Sequence, residues 1–342
     1  VALDEARERL ARCLGAQPDE ICFTSGGTEA DNLAVLGAWR AQRATRRTVV
    51  ASPIEHKAVL GAVHEVVAEG GEERFLPVSR EGRVSVDDLA RLVDESVALC
   101  TVMWVNNEIG VIQDIPALAA ATKSHGAFFH SDAVQAFGKI SIDVSRVPVD
   151  YLTISGHKIG APKGIGALYV RRGAPLAPLL HGGSQDRGRR PGTENVALAV
   201  GLARAAELAI EERQREWERL EGLRDELERA LLQRIPDATI NGRGAPRAPH
   251  ILNISVPGVD SESLLMALDL QGVACSAGSA CQSGAIDPSH VLTAIGLPYD
   301  LAAGAIRMSL GSLTTAEDIQ RVVELFPALI EKARRLSGLA SH

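Results

Sequence analysis

The chain has 342 residues, 46% of them hydrophobic, and carries a net charge of −7 with a pI near 5.8. That length supports a large buried core divided over two domains, and the acidic balance excludes the basic footprint of a nucleic-acid binder. No apolar run reaches membrane-spanning length and nothing in these residues reads as a secretory signal, while the five cysteines are odd in number and lack C-x-x-C spacing, which fits free thiols in a reducing cytoplasm.

The sequence opens at Val1 inside a helical pattern, so an N-terminal segment is expected to precede it. Leu3, Ala6, Leu10 and Leu14 share a helical face, and Gly15 stops that helix. Strand-like runs follow at Ile21–Thr24, Thr48–Ala51, Arg74–Val78, Leu99–Val105, Ala127–His130, Tyr151–Ile154 and Gly166–Val170. Helical patterns at Thr28–Trp39, Lys57–Ala68, Asp87–Val93 and Ile115–Lys123 lie between them. This alternation predicts an α/β fold, a mostly parallel sheet sandwiched by helices. In such sheets ligands bind beyond the carboxyl ends of the strands. A long charged helix is expected over Leu202–Ile235, with Leu220, Leu223, Leu227 and Leu231 buried and the Glu211–Glu228 face solvated. It is expected to join the first unit rigidly to a smaller α+β one. That smaller unit has strands near Ile251–Val256 and Ala305–Leu310, a helix from Glu262, and a last helix capped by Thr314 and Glu317. The predicted division is 1–203, a large domain, and 204–342, the long helix with a small C-terminal domain.

Polar residues cluster where the predicted strands end. Ser25-Gly-Gly-Thr28 opens a helix, and helix N-termini present unpaired N–H groups that suit a phosphate. Asn106-Asn107-Glu108 follows an apolar run, where it could equally form a turn. Asp132 follows a buried aromatic run. Burial raises a carboxyl pKa unless a cation holds it, so Asp132 reads either as a cap or as the partner of a pyridinium nitrogen. Lys158 lies between two strand-like runs, where burial penalises a free ammonium. A lysine tied up as a Schiff base removes that penalty. A phosphate cradle, an acid for a ring nitrogen and a lysine for an imine are the parts that hold pyridoxal 5′-phosphate.

The chain resembles the cysteine desulfurases of the nitrogen-fixation and iron–sulfur-assembly type, within the class V aminotransferases and fold-type I pyridoxal-phosphate enzymes. The resemblance runs over essentially the whole length. It is carried by FTSGGTEADN (23–32), EHKAVL (55–60), VNNEIGVIQD (105–114), HSDAVQAFGK (130–139), SGHKIGAPKGIGALYV (155–170), GRRPGTENV (188–196), SAGSACQSG (276–284) and IRMSLG (306–311). It implies that Lys158 is the Schiff-base lysine and the base acting at the substrate Cα. Asp132 is implied to hold the pyridine nitrogen, Gln135 the phenolic oxygen, and His56 to stack on the ring and assist proton transfer. Gly27, Thr28, Ser155 and His157 would hold the phosphate, while Asn107 and Arg307 would grip the substrate carboxylate. Arg190 and Thr193 match a loop that in the family reaches the neighbouring subunit's phosphate, which implies a homodimer with shared sites.

Cys281 decides the reaction that the resemblance implies. It sits among small residues, which suits an exposed loop better than a structural thiol. In the family this cysteine takes sulfur from L-cysteine as a persulfide, leaves alanine, and passes sulfur to an acceptor such as an iron–sulfur scaffold. No metal is expected; C-x5-C spacing to Cys275 is poor for zinc. A transient iron–sulfur cluster at Cys281 stays open. So do a selenocysteine lyase, which shares Arg190-Pro191-Gly192-Thr193-Glu194-Asn195, and an aminotransferase or kynureninase-like lyase that would not need Cys281. The family's Asp-Asn-Ala-Ala-Thr-Thr-Pro-like N-terminal motif is absent from this sequence, which leaves an inactive scaffolding member as a further alternative. His64 and His125 read as surface residues, His130 as packing beside Asp132.

Overall fold

A computed structural model describes residues 1–277 and 288–336. Cys281, with residues 278–287, lies outside the described residues. The chain divides into two compact units. One comprises Val1–Pro77, Val84–Val105 and Gln113–Gln214; the other Val78–Arg83, Asn106–Ile112 and the chain from Arg215. One 39-residue helix, Val196–Arg234, contributes to both.

In the first unit, seven strands form one sheet: β1 (Ile21–Thr24), β2 (Thr48–Ala51), β3 (Glu72–Phe75), β4 (Val97–Thr101), β5 (Phe128–Asp132), β6 (Tyr151–Ser155) and β7 (Gly166–Val170). Their order is β1-β7-β6-β5-β4-β2-β3. The strands from β3 to β6 in that order pair in parallel, and β7 pairs antiparallel with both β6 and β1. β1 therefore runs the same way as β6, and only β7 is reversed. The carboxyl ends of β1, β2, β4, β5 and β6 share one edge. Buried β-branched and aliphatic runs drive this arrangement: β1, β2, β4, β6 and β7 are buried at every position, as strands covered on both faces must be. Helix Gly27–Arg40 packs across β1, β4, β5, β6 and β7. It buries Ala30, Asp31, Leu33, Ala34, Val35, Leu36, Gly37, Ala38 and Trp39, so one acid sits in an otherwise apolar face. Gly15, at φ +69°, ends the first helix as expected.

The second unit holds a three-stranded antiparallel sheet in the order β10-β9-β8, with β8 (Thr239–Ile240), β9 (Ile251–Ser255) and β10 (Ala305–Ser309). Leu220, Leu227 and Leu231 of the long helix and Phe326 and Ile330 of helix Ala316–Leu336 pack on it. Two expectations are corrected here. The last helix is capped one residue later than predicted. Thr315 Oγ1 accepts from Asp318 N at 3.2 Å while Asp318 Oδ2 accepts from Thr315 N at 2.9 Å, and Thr314 Oγ1 instead accepts from Gly311 N. The long helix is also not solvated throughout its charged face. Glu228 is buried between Arg247 (2.7 Å) and Arg243 (2.8 Å), and Arg224 is buried too. Paired charges can be covered where lone ones cannot. Among the described residues no helix is long and apolar enough to cross a membrane.

Candidate active site

Four predicted site elements of the first unit emerge from the carboxyl edge of its sheet. After β1 the backbone turns at Gly26 into helix Gly27–Arg40, whose start has no side-chain cap. After β2 it reaches His56, the N-cap of helix Lys57–Ala68. β5 ends on Asp132, and β6 ends on Ser155, followed by the single turn Gly156–Ile159 that carries His157 and Lys158.

Close backbone approach shapes the predicted phosphate cradle. A Cβ added at Gly27 would stand 3.0 Å from Val134 Cγ2 and 3.4 Å from Ser155 Cβ. The start of the helix and the end of β6 are therefore in contact, and the glycine keeps that space open. Ser155 Oγ lies 2.9 Å from His157 Nδ1. Partial burial, then the Lys158 and Lys163 charges, lower the His157 pKa, so this imidazole is neutral at pH 7. Thr28 is exposed, and its carbonyl accepts from Asn32 Nδ2 (2.9 Å), which also donates to the Ala58 carbonyl at 3.2 Å. Asn32 thus ties the cradle to the helix that His56 begins. His56 Nδ1 accepts from Ala58 N at 3.1 Å, which leaves the proton of the neutral ring on Nε2.

Asp132 is 4% exposed, with Oδ1 accepting from Val134 N at 2.8 Å. Burial pushes its pKa up to about 6, against the opposing pulls of the Val134 N–H and the Lys158 charge. Lys158 itself is exposed, and its carbonyl accepts from Lys139 Nζ at 3.3 Å. Burial, then the Lys158 charge, lower Lys139 to about 8. Gln135 follows in the turn after β5. Arg190 pairs with Glu29 of its own chain (Nε to Oε1, 2.8 Å), and Glu29 Oε2 accepts from Ser25 N, so the Arg190 loop lies on the cradle turn. Thr193, farther along that loop, is exposed.

The second unit holds the remaining predicted residues. Arg307 on β10 donates from Nη1 to the Asn107 carbonyl at 3.0 Å, and its buried Nε has no hydrogen-bond partner among the described residues; nor has the buried Oδ1 of Asn107. Arg307 also forms a backbone bridge with Ser276, at the start of the stretch that contains Cys281 (N to O 2.7 and 3.1 Å). Cys275, half-buried, is pushed up to about 11 by burial, a poor nucleophile at neutral pH.

These residues fit pyridoxal phosphate. The glycine-lined helix start gives N–H groups for a dianion, buried Asp132 has a raised pKa that a cationic ring nitrogen would offset, and the Lys158 charge acts on it at the same sheet edge. Sequence reasoning missed Asp31 and Glu55, both fully buried and both raised above the usual carboxylate range by burial and by the Asp132 charge. The signal for Asp31 was an acid within the Ala30–Trp39 apolar stretch.

The sequence profile of the aminotransferase class-V family matches residues 1–322. The chain belongs to that family. Cysteine desulfurase IscS of Dictyoglomus turgidum is 46% identical to this family member over 336 residues, 98% of this chain and 85% of the relative. A solved NifS-like protein superposes with a TM-score of 0.89 at 35% identity, covering 96% of this chain and 87% of the other. SspA in complex with cysteine superposes at 0.76 with 34% identity, over 90% and 86%. The fold is accordingly that of fold-type I, with a mostly parallel sheet and its helices.

Proposed function

We propose that the protein is a pyridoxal-phosphate-dependent L-cysteine desulfurase that takes sulfur onto Cys281 as a persulfide and releases L-alanine. The observation that carries this reading is the buried Asp132 at the carboxyl edge of the sheet, within electrostatic reach of Lys158. Relatives named cysteine desulfurase and a solved homologue holding cysteine support the substrate.

When bound, the cofactor supplies an aldehyde for amines and an electron sink for carbanions. Gly27, Thr28, Ser155 and His157 hold its phosphate, Asp132 its ring nitrogen and Gln135 its phenolic oxygen. Lys158 would hold its aldehyde, and the lysine amine would remove and return the proton at the substrate Cα. His56, with its proton on Nε2, would lie against the ring and serve proton transfer. Arg307 and Asn107 take the substrate carboxylate, using the Arg307 Nε–H that has no acceptor in the described structure. The Cys281 thiolate attacks the substrate sulfur. An S–S bond forms as the Cβ–S bond breaks, the electron pair stays with carbon, and Cβ is then protonated to the methyl group of alanine. Cys281 lies five positions beyond Ser276, a tether of at most about 18 Å. Arg190 and Thr193 serve the phosphate of a second copy, so the working form is a homodimer, and the persulfide passes to an acceptor such as an iron–sulfur scaffold in the cytoplasm. The functional division is a cofactor domain over 1–203 and a sulfur-handling domain over 204–342.

The test is incubation with L-cysteine while sulfide and alanine are measured, alongside Cys281→Ala and Lys158→Ala. Both variants lose desulfuration, and only the lysine variant also loses the visible cofactor absorbance. Sulfide release at the unsubstituted rate without Cys281 would falsify the persulfide route.

A further inference from the structure

Behind Asp132 lies a buried polar layer that no step above uses. His130 and Asp132 are two residues apart on β5 and so point to one face. Thr101 of β4 stands opposite His130, and Thr153 of β6 opposite Asp132, on that same face. Helix Gly27–Arg40 adds Asp31. Thr101, His130 and Thr153 are fully buried and Asp31 is 1% exposed. His130 Nδ1 is 2.8 Å from Thr101 Oγ1, and Nε2 is 3.1 Å from Thr153 Oγ1 and 3.7 Å from Asp31 Oδ1. Thr153 also hydrogen-bonds the Asp31 carboxyl.

With a neutral imidazole, and with the Asp31 proton, when present, lying within the chain, these donors run in one of two directions. If Asp31 is ionised, the Thr153 hydroxyl donates to it, His130 donates from Nε2, and Nδ1 accepts from Thr101. If Asp31 is a carboxylic acid, it donates to Thr153, Thr153 donates to His130 Nε2, and Nδ1–H donates to Thr101. Three facts select the second. Asp31 Oδ1 is buried without a hydrogen-bond partner among the described residues, a costly place for half a negative charge. The one nearby base that could neutralise it, His130, is held neutral by burial, near 3. Two further buried acids, Asp132 and Glu55 (whose Oε1 accepts from Met103 N at 2.7 Å), crowd the same region, and like charges there oppose ionisation. Lys158 is the cation that acts on Asp132 from the other side.

We propose that Asp31 is held as a neutral carboxylic acid and is a positioning residue for Asp132: its proton runs through Thr153 into His130, fixing the Nδ1–H tautomer and leaving Asp132 free to carry the negative charge. The chemical sense rests on the proposed role of Asp132 toward the ring nitrogen. An ionised Asp31 would push the shared charge off Asp132 and leave the ring nitrogen with a neutral partner.

The experiment is ¹⁵N NMR of the histidine-labelled, cofactor-free protein at neutral pH, which reads the His130 tautomer without any turnover. The expected spectrum has His130 protonated on Nδ1. An Nε2–H ring overturns the proposal. Asp31→Asn, whose amide N–H replaces the acid's donor, keeps the same tautomer and leaves the pH midpoint of the visible cofactor absorbance in place. A downward shift of that midpoint by about one unit or more, as expected when a like charge is removed, also overturns it. A protein that shows the expected tautomer but takes up no pyridoxal phosphate sinks the functional reading alone. Normal uptake with the wrong tautomer sinks this inference alone.

Discussion

Asp132→Asn in the cofactor-free protein tests the electrostatics of the site most directly. The Asp132 carboxyl is pushed from 3.8 to about 6, chiefly by burial. A shift of about two units corresponds to about 3 kcal/mol. The sign follows from linkage. The folded state holds this proton more tightly than the unfolded state, so between about pH 4 and pH 6 it binds extra proton, and stability falls as pH rises through that window. Above pH 6 the folded, cofactor-free protein carries the whole penalty. Asparagine cannot ionise and keeps an acceptor for Val134 N. The variant is therefore expected to be more stable than the unsubstituted protein by about 3 kcal/mol at pH 8, with the difference closing below pH 4. Urea unfolding of both apo-proteins across that range measures it. Trp39 and Trp104 report the first unit, in a Trp217→Phe background that silences the tryptophan of the other. With cofactor bound the order reverses, because the amide offers no charge to the ring nitrogen. An apo variant no more stable at pH 8, or an advantage that grows in acid, refutes the reasoning.

Gly166→Ala places a Cβ 2.7 Å from the Ile154 carbonyl oxygen and 2.8 Å from Gly26 backbone carbons. It should cost about 1–3 kcal/mol, read as a lower urea midpoint, and weaken pyridoxal-phosphate uptake in titration. Arg307→Lys removes the guanidinium fork, and the KM for L-cysteine should rise about tenfold or more while the cofactor spectrum stays unchanged; an unaltered KM removes Arg307 from the carboxylate. Lys139→Met deletes the charge beside Lys158, which should then keep its proton to higher pH. The pH profile for cofactor capture by the apo-protein moves up by about one unit, and a profile that stays put shows that the two amines do not communicate.

The parallel core was legible because its strands are short, apolar and separated by glycine-punctuated helices; β1, β2 and β7 fall where the residue pattern places them. Two boundaries were not. Leu99–Val105 reads as one strand, yet β4 ends at Thr101 and the apolar run continues as buried, irregular chain, with Val102 N and Trp104 N bonded to carbonyls of β5. Burial rather than ladder geometry accounts for its hydrophobicity, and a sequence pattern cannot separate the two. Arg74–Val78 slid toward the apolar side of an edge strand that really spans Glu72–Phe75 and pairs with β2 through the charged Glu72, Glu73 and Arg74, the usual composition of an exposed sheet edge. At the candidate site, residues that speak through spacing, Lys158, Asp132 and the Gly26-Gly27 turn, could be proposed from the sequence. The layer beneath them was not. Asp31, Glu55 and Thr153 matter through register and burial, and only the pairing of β4, β5 and β6 shows which side chains share a face. His130, read as packing, is buried and also hydrogen-bonded to two threonines.

One rung of the sheet has a wider effect. Ser155 and Gly166 are opposite each other on β6 and β7, and against that rung rest both Gly27 and Gly26. The proposed anion cradle is thereby gauged largely in main chain, like marks on a ruler, with the Val134 and Ser155 side chains packed against Gly27. Substitutions elsewhere in the helices that cover the sheet can drift over evolutionary time without changing that gauge, and a redesign meant to admit a longer or shorter cofactor would have to recut this rung first.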